Sequence, residues 1–382
     1  MSTVVSMYLV GCGGGGGSNV STASVGSGNT GGSVTPPPVL PVTYTRQVPV
    51  AGDSFTYQHL VRDDQGQSWT YYSTEQYGNT YRGVTGSASV LNDKLPKAGY
   101  FFAGKNTSAT FSYLSLYDAN GAELLFSPRS VSSFPCSYSQ NYLTAKSPYS
   151  LGQTWDVNIT LNCTSGSSSV TYKTVRDTGS IVGVEDVNVT AGKFSTLKEV
   201  ATIKELTTYT PPGGNYTDTS KDVSRTCWRD TVSGQYVKCV TTGFDSDFQS
   251  SKPGGSKNLI ITSELIGRLN ASNVGVKALQ RFAGRWNLTI AGNTGVNLIE
   301  IDPTGTASYL FGISAGGLST DYSSNLLNAS VNNDGDISIT ISSSSANGMN
   351  GTLSGKLDSL GGGSGVINLK NGYVANWKMS RQ

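Results

Sequence analysis

The chain has 382 residues and a net charge of +2, and charged residues make up only 14% of it, against roughly 25% in ordinary soluble domains. No Lys/Arg run occurs, which excludes a nucleic-acid footprint, and no apolar stretch approaches the ~18 residues of a membrane-spanning helix. With 47 Gly and 20 Tyr, and much Ser, Thr, Asn and Val, the composition favours strands and turns over helices.

The chain opens on a short apolar stretch (Val4, Val5, Met7, Tyr8, Leu9, Val10) that ends at Gly11-Cys12. Residues 13–41 are dominated by Gly, Ser, Thr, Val, Asn and Pro, the composition of a flexible tether. Cys12 is the odd member of five cysteines, so it needs a role of its own. Leu9-Val10-Gly11-Cys12 resembles the lipobox of bacterial lipoproteins. The resemblance implies that Cys12 is acylated and becomes the first residue of the mature chain. Residues 1–11 are then a truncated signal-peptide remnant, because they lack the basic n-region of a complete leader. It further implies a cell-envelope location and a membrane partner reached through the lipid. Gly13 after the cysteine, rather than Asp, implies the outer membrane by analogy with enteric bacteria. Gly26-Ser27-Gly28-Asn29-Thr30-Gly31 spells a dinucleotide fingerprint, but its low-complexity setting offers neither the strand nor the helix that the chemistry needs.

Ordered β-structure is expected from 42 to 263. Phe55, Tyr57, His59 and Val61 alternate along a strand that turns at Asp63-Asp64-Gln65-Gly66 and returns through Trp69 and Tyr71, a hairpin pattern. Further strands are read at 81–92, 99–103, 109–117 and 122–127. The segment 147–163 echoes 48–61, each with a Pro, then a Gly, then a strand opening on an aromatic. This allows two halves, 42–146 and 147–263. Residues 183–203, with the corner Ala191-Gly192-Lys193-Phe194, and the Trp228 hairpin at 225–240 resemble uncharacterised periplasmic β-proteins, a likeness that implies no activity. Opposing Cys227 and Cys239 across that hairpin leaves Val232-Ser233-Gly234 as a three-residue loop ending on Gly. Directly opposed positions suit a disulfide, and Cys136 and Cys163 pair by elimination.

Leu265, Ile266, Leu269, Val276, Leu279 and Phe282 have helix-like spacing, so a short helix and linker are expected over 264–282. From 283 the pattern changes to eight short strands, at about 285–291, 296–301, 305–313, 325–331, 336–342, 349–358, 364–370 and 373–380, punctuated by Asn-Gly and Asp-Gly turns. The expected fold class is all-β: a larger N-terminal sheet or half-barrel domain, then a small eight-stranded up-and-down barrel-like domain. Gly284 and Trp286 on the first of these strands, with Arg381 on the last, resemble the lipocalin-like (calycin) signature, in which the indole packs against an Arg near the barrel's end. One apolar face per strand predicts a barrel filled by its own side chains.

Chemistry is sparse. The lone histidine, His59, lies on an apolar strand face and reads as a hydrogen-bonded structural residue rather than a triad member. Ser195-Thr196-Leu197-Lys198 matches S-x-x-K, but in strand-like sequence and without a K-T-G. Asn332 to Asp336 reads as a hairpin turn rather than a calcium loop, and Asp245-Ser246-Asp247 as a solvated loop. No zinc spacing occurs, and no catalytic residue, metal or cofactor is assigned. The expected function is non-enzymatic: a lipid-anchored envelope protein that binds an apolar ligand, a lipid or an envelope partner. A surface adhesin and a polymer hydrolase are the alternatives. A dry, apolar cavity would favour ligand binding, a clustered acid pair in a cleft the hydrolase, and an exposed Tyr/Trp patch the adhesin.

Overall fold

The computed structural model describes residues 42–381 except 46, 48, 65, 67, 82–83, 95–99, 103–109, 118–122, 128–135, 143–144, 146, 166–167, 210–216, 246–247, 251–257, 293–295, 310–327, 342–349 and 359–360. Among the described residues the protein is all-β, with one 3-10 turn at Leu279–Phe282. The larger unit is built from β1 (Ser54–Asp63), β2 (Ser68–Tyr81), β3 (Val84–Lys94), β4 (Thr110–Tyr117), β5 (Glu123–Ser127), β6 (Cys136–Tyr142), β7 (Thr154–Ser165), β8 (Ser168–Val189), β9 (Gly192–Tyr209), β10 (Thr217–Asp230), β11 (Tyr236–Asp245) and β12 (Asn258–Leu269). Each strand pairs antiparallel with the next in sequence, and β12 pairs with both β11 and β1. The expected half-barrel therefore closes into a complete ring. Closure leaves no edge among these strands. The hairpin ends of β8–β9 and β10–β11, the start of β1 and the end of β12 share one end of the ring, here the upper end.

The same local device precedes β1 and β7. Before β1, Gly52 N–H donates to Tyr77 O at 2.8 Å and Tyr77 N–H donates back to Asp53 O at 2.9 Å. Before β7, Gly152 N–H donates to Ile181 O and Ile181 N–H to Gln153 O, both at 2.9 Å. Asp53 Oδ2 accepts from Val50 N–H, as Gln153 Oε1 does from Ser150 N–H. Gly52 and Gly152 have φ of +100° and +82°, a conformation in which any Cβ is strained. The sequence echo between 48–61 and 147–163 thus marks one clasp used at the head of each six-strand half, and both halves belong to a single ring.

The expected helix over 264–282 is corrected. Residues 258–269 are strand β12, and only Leu279–Phe282 make a 3-10 turn. Leu265 and Leu269, both buried, are four apart, which places them on one side of a strand as readily as on one side of a helix. Pairing with β1 and β11 decides between the two.

The smaller unit comprises β13 (Gly284–Ile290), β14 (Val296–Ile301), β15 (Ala307–Tyr309), β16 (Asn328–Val331), β17 (Asp336–Ile341), β18 (Gly351–Leu357), β19 (Gly362–Leu369) and β20 (Val374–Arg381). Sequential pairing runs along β13–β14–β15 and along β16 to β20, and β20 returns to β13. The two outer strands, β15 and β16, are joined by a Thr306–Ser330 bridge and by Val331 N–H donating to Gly305 O at 2.9 Å. One apolar face of each described strand fills the interior: Trp286, Leu288, Ile299, Ile339, Leu353 and Trp377 are all buried in one cluster. Phe282 seals this core beneath the β16–β17 turn, where a Cβ on Gly335 would meet its ring at 2.7 Å.

Candidate functional site

Alternation along β8–β10 turns Lys173, Val175, Asp177 and Ile181 to the buried side and Thr174, Arg176 and Thr178 to the exposed side. The buried side of the larger ring is therefore rich in charge, and the charges are paired in layers. Nearest the upper end, the Arg229 guanidinium donates to Glu199 through Nε and Nη2 and to Gly234 O at 3.0 Å. Tyr236 OH donates to the same Glu199 carboxylate at 2.7 Å. The guanidinium also lies 4.2 Å from the Tyr236 ring centroid and 4.9 Å from that of Tyr149. Burial alone would lower the Arg229 pKa, but Glu199, Tyr236 and Tyr149 raise it overall, so it remains charged. Burial pushes the Tyr236 hydroxyl up, with Arg229 opposing.

Two residues down β10, Cys227 is bonded to Cys239. Below them Asp177, fully buried, accepts from Trp155 Nε1 at 2.8 Å and Tyr142 OH at 3.0 Å and faces Arg225 Nη2 at 3.5 Å. Lower still, Lys173 pairs with Glu205 at 2.7 Å and Lys221 with Asp245 at 2.9 Å. Burial opposes ionisation of Glu205, yet Lys173 and Lys221 bring its pKa down to about 2. These four cations and four anions neutralise one another, as buried charges require.

The upper end is covered by the β8–β9 hairpin. A register shift between Ile181 and Gly183 bends it. Its tip lies against β12, with Ala191 N–H donating to Leu265 O at 3.1 Å. Phe194 and Ala191 pack with Phe55, Tyr57, Tyr77, Val237 and Leu265. The Ala191-Gly192-Lys193-Phe194 corner is accordingly a cover for the ring. Arg268 stacks on Phe194 at 4.9 Å, and Thr196 Oγ1 donates to Glu185 O at 2.7 Å.

The candidate residues fall as follows. Cys227 opposes Cys239 as expected, but a bulge after Trp228 sets Arg229 opposite Tyr236 instead of Val237. Past the bulge, Asp230 N–H donates to Gln235 O at 2.8 Å. The bulge forms because Asp230 caps the turn, accepting from the backbone of Val232 and Ser233, while Gly234 supplies φ +55°. Cys136 is disulfide-bonded and stands opposite Cys163 in register. His59 sits between Ser263 Oγ at 2.8 Å and Ser73 Oγ at 2.6 Å and stacks on Tyr71. Burial lowers its pKa to about 3, so it is a neutral structural residue.

Ser195 and Lys198 lie on strand β9, where their separation of three places them on opposite faces. The solvated-loop reading of Asp245 is corrected: it ends β11 and is buried against Lys221. Asn332 Oδ1 accepts from the backbone of Asp334 and Asp336, forming a hairpin turn. Trp286 stands directly opposite Arg381 in register, and its indole donates to Phe282 O at 2.9 Å. Gly284 has φ +127°. Cys12 and the glycines at 26, 28 and 31 lie outside the described residues. The paired cations Arg225 and Arg229 had no sequence motif. Their only signal is the two-residue spacing of Arg225, Cys227 and Arg229 on one strand face.

On the exposed side of β7–β10 lies an open depression of about 700 Å³, lined by Thr154, Thr178, Ser180, Thr202, Ser224 and Thr226 among others. Gly179 and Ala201 form its floor, and a Cβ on Gly179 would meet the Trp155 indole at 2.3 Å. At its edge Asp156 accepts from Arg176 and Thr178. Charged and hydroxyl side chains on this wall mark it as facing water rather than lipid.

No family model and no curated protein matches this chain. Among solved structures, it is similar to an exported protein with a YmcC-like fold from Bacteroides fragilis (15% identity, TM-score 0.31, 59% of this chain and 98% of that one). It is also similar to the hypothetical lipoprotein YmcC of Escherichia coli K12 (14% identity, TM-score 0.24, 56% and 83%). A third similar structure is described as a lipoprotein of Parabacteroides distasonis (10% identity, TM-score 0.29, 57% and 95%).

Proposed function

We propose that this chain is an exported bacterial envelope lipoprotein, anchored through Cys12, that acts non-enzymatically by binding an envelope partner on its outer surfaces. The observation that carries this reading is the character of the described inward side chains in each unit. Among the described residues, paired charges and aromatic side chains line the larger ring along β7–β11, and one apolar cluster fills the smaller unit. The inward carboxylates Asp177, Glu199, Glu205 and Asp245 each face a cation, which leaves none of these four free for proton transfer. The disulfide-bonded Cys227, Cys239 and Cys136 support an oxidising compartment.

Two measurements test the proposal. Intact mass of the native protein should show an acylated Cys12 as the first residue. Titration with an apolar fluorescent probe should give no saturable binding. An unmodified Cys12 removes the anchor, and tight one-to-one probe binding replaces partner recognition with ligand carriage.

A further inference from the structure

Exposed aliphatic side chains gather at the upper end of the larger ring, on the side where the chain arrives from its Gly/Ser/Pro-rich segment. Thr43–Tyr44 pairs with Tyr149–Ser150, with Thr43 opposite Ser150. The antiparallel register continues to place Val42 beside Leu151. These two are 66% and 59% exposed. The Gly152–Ile181 clasp ties the Leu151 turn to β8 immediately before Val182, which is 49% exposed. Val184 is two residues further along β8, and Val232 is in the β10–β11 turn, which Thr231 fastens to Ser195 O; both are 48% exposed. An apolar rim of this kind marks a surface that meets another apolar phase.

We infer that this rim rests on the lipid surface to which the chain is anchored; the inference depends on the lipoprotein reading of Cys12. The argument for a bilayer is the length and attachment of the preceding chain. Residues 13–41 separate Cys12 from Val42; a chain of that length with the Gly/Ser/Pro-rich composition of a tether would have a root-mean-square span of roughly 30 Å. Such a tether would bring the rim to the membrane it departs from, at high effective concentration. Aliphatic side chains on the near rim then enter the interfacial region, while the water-facing wall of β7–β10 stays clear of it.

The test uses the full chain with Cys12→Ser, which removes the anchor and leaves the rim. Flotation with vesicles of phosphatidylethanolamine and phosphatidylglycerol should recover this protein. Adding Leu151→Asp and Val182→Asp should weaken recovery about tenfold. The same change at Leu206 and Ile260, each 47% exposed toward the opposite end, should leave recovery unchanged. As a second measurement on the acylated protein, a tryptophan placed by Leu151→Trp should be quenched by brominated lipid, and one placed by Leu206→Trp should not. Failure of the Cys12→Ser protein to float, equal losses from both Asp pairs, or a photo-crosslinker at Leu151 that captures protein instead of lipid would each overturn the inference. The mass of native Cys12 separately decides the lipoprotein reading.

Discussion

A single histidine makes one protonation event directly observable. His59 is held neutral by burial, with its pKa lowered to about 3. Its two ring nitrogens face two serines, so one donates and the other accepts. Nitrogen-detected NMR should show one neutral tautomer from neutral pH down to about pH 4. An imidazolium signal at pH 6 in the folded protein would contradict this environment. A depressed folded pKa means that the unfolded chain binds more protons between about 3 and the ordinary value near 6.5. His59 stabilisation is thus complete above pH 6.5 and declines as the pH falls through that window. Glu205 adds a second loss between its ordinary value of 4.5 and about 2. Stability should accordingly fall as the pH drops from about 6.5 toward 5, where His59 alone of these two groups titrates in the unfolded chain, which denaturant titrations at stepped pH would measure. At the Arg229 layer, Glu199→Gln should cost about 3 kcal/mol, because it strands a buried guanidinium. Replacing Arg229 and Glu199 together by Met and Leu should cost less than that.

Among elements, the Trp228 hairpin was legible and its bulge was not. Cys227 and Cys239 fix the pairing across the strands, and the glycine at 234 fixes where the turn ends. What the linear pattern does not reveal is that the Asp230 side chain takes two backbone donors and shortens the ladder. Reduction of this bond should lower stability by roughly 2–3 kcal/mol, by the entropy of a loop of this size, and peptide maps should join Cys227 only to Cys239. The β8–β9 cover was visible as a motif but not as a lid, because a bend at Gly183 leaves no trace in periodicity. Phe194→Ala should cost about 3–4 kcal/mol. It should also raise amide exchange at Ala191 more than at Ile203, which reports opening of the hairpin rather than loss of the ring. In the smaller barrel nearly every strand was readable, since Asn-Gly and Asp-Gly turns separate short runs with one clean apolar face. The larger ring hides its alternation. Lys173, Asp177, Glu199, Arg225 and Arg229 point inward, and a polar–polar sequence gives no signal of which face is buried.

At the scale of the molecule, the two units differ in how they are filled, and that difference is testable. Residues 280–382 carry a self-contained apolar core and should fold when expressed alone, with a cooperative melt and weak binding of apolar dyes. The larger unit relies on long-range ion pairs and should lose more stability in high salt, although burial shields its inner layers. Its closing seam has a further cost in time. Leu259 to Leu269 pair with Ser54 to Asp63, strands about two hundred positions apart in the chain. Every other pairing in the ring can form as soon as the next strand is available, but this one must wait for the last. Until then β1 and β12 are free edges that can template pairing with a neighbouring chain. Loop-closure entropy also makes the joining step slow. Folding of this protein should therefore be limited by one late event at a single seam, and the interval before it is when aggregation competes.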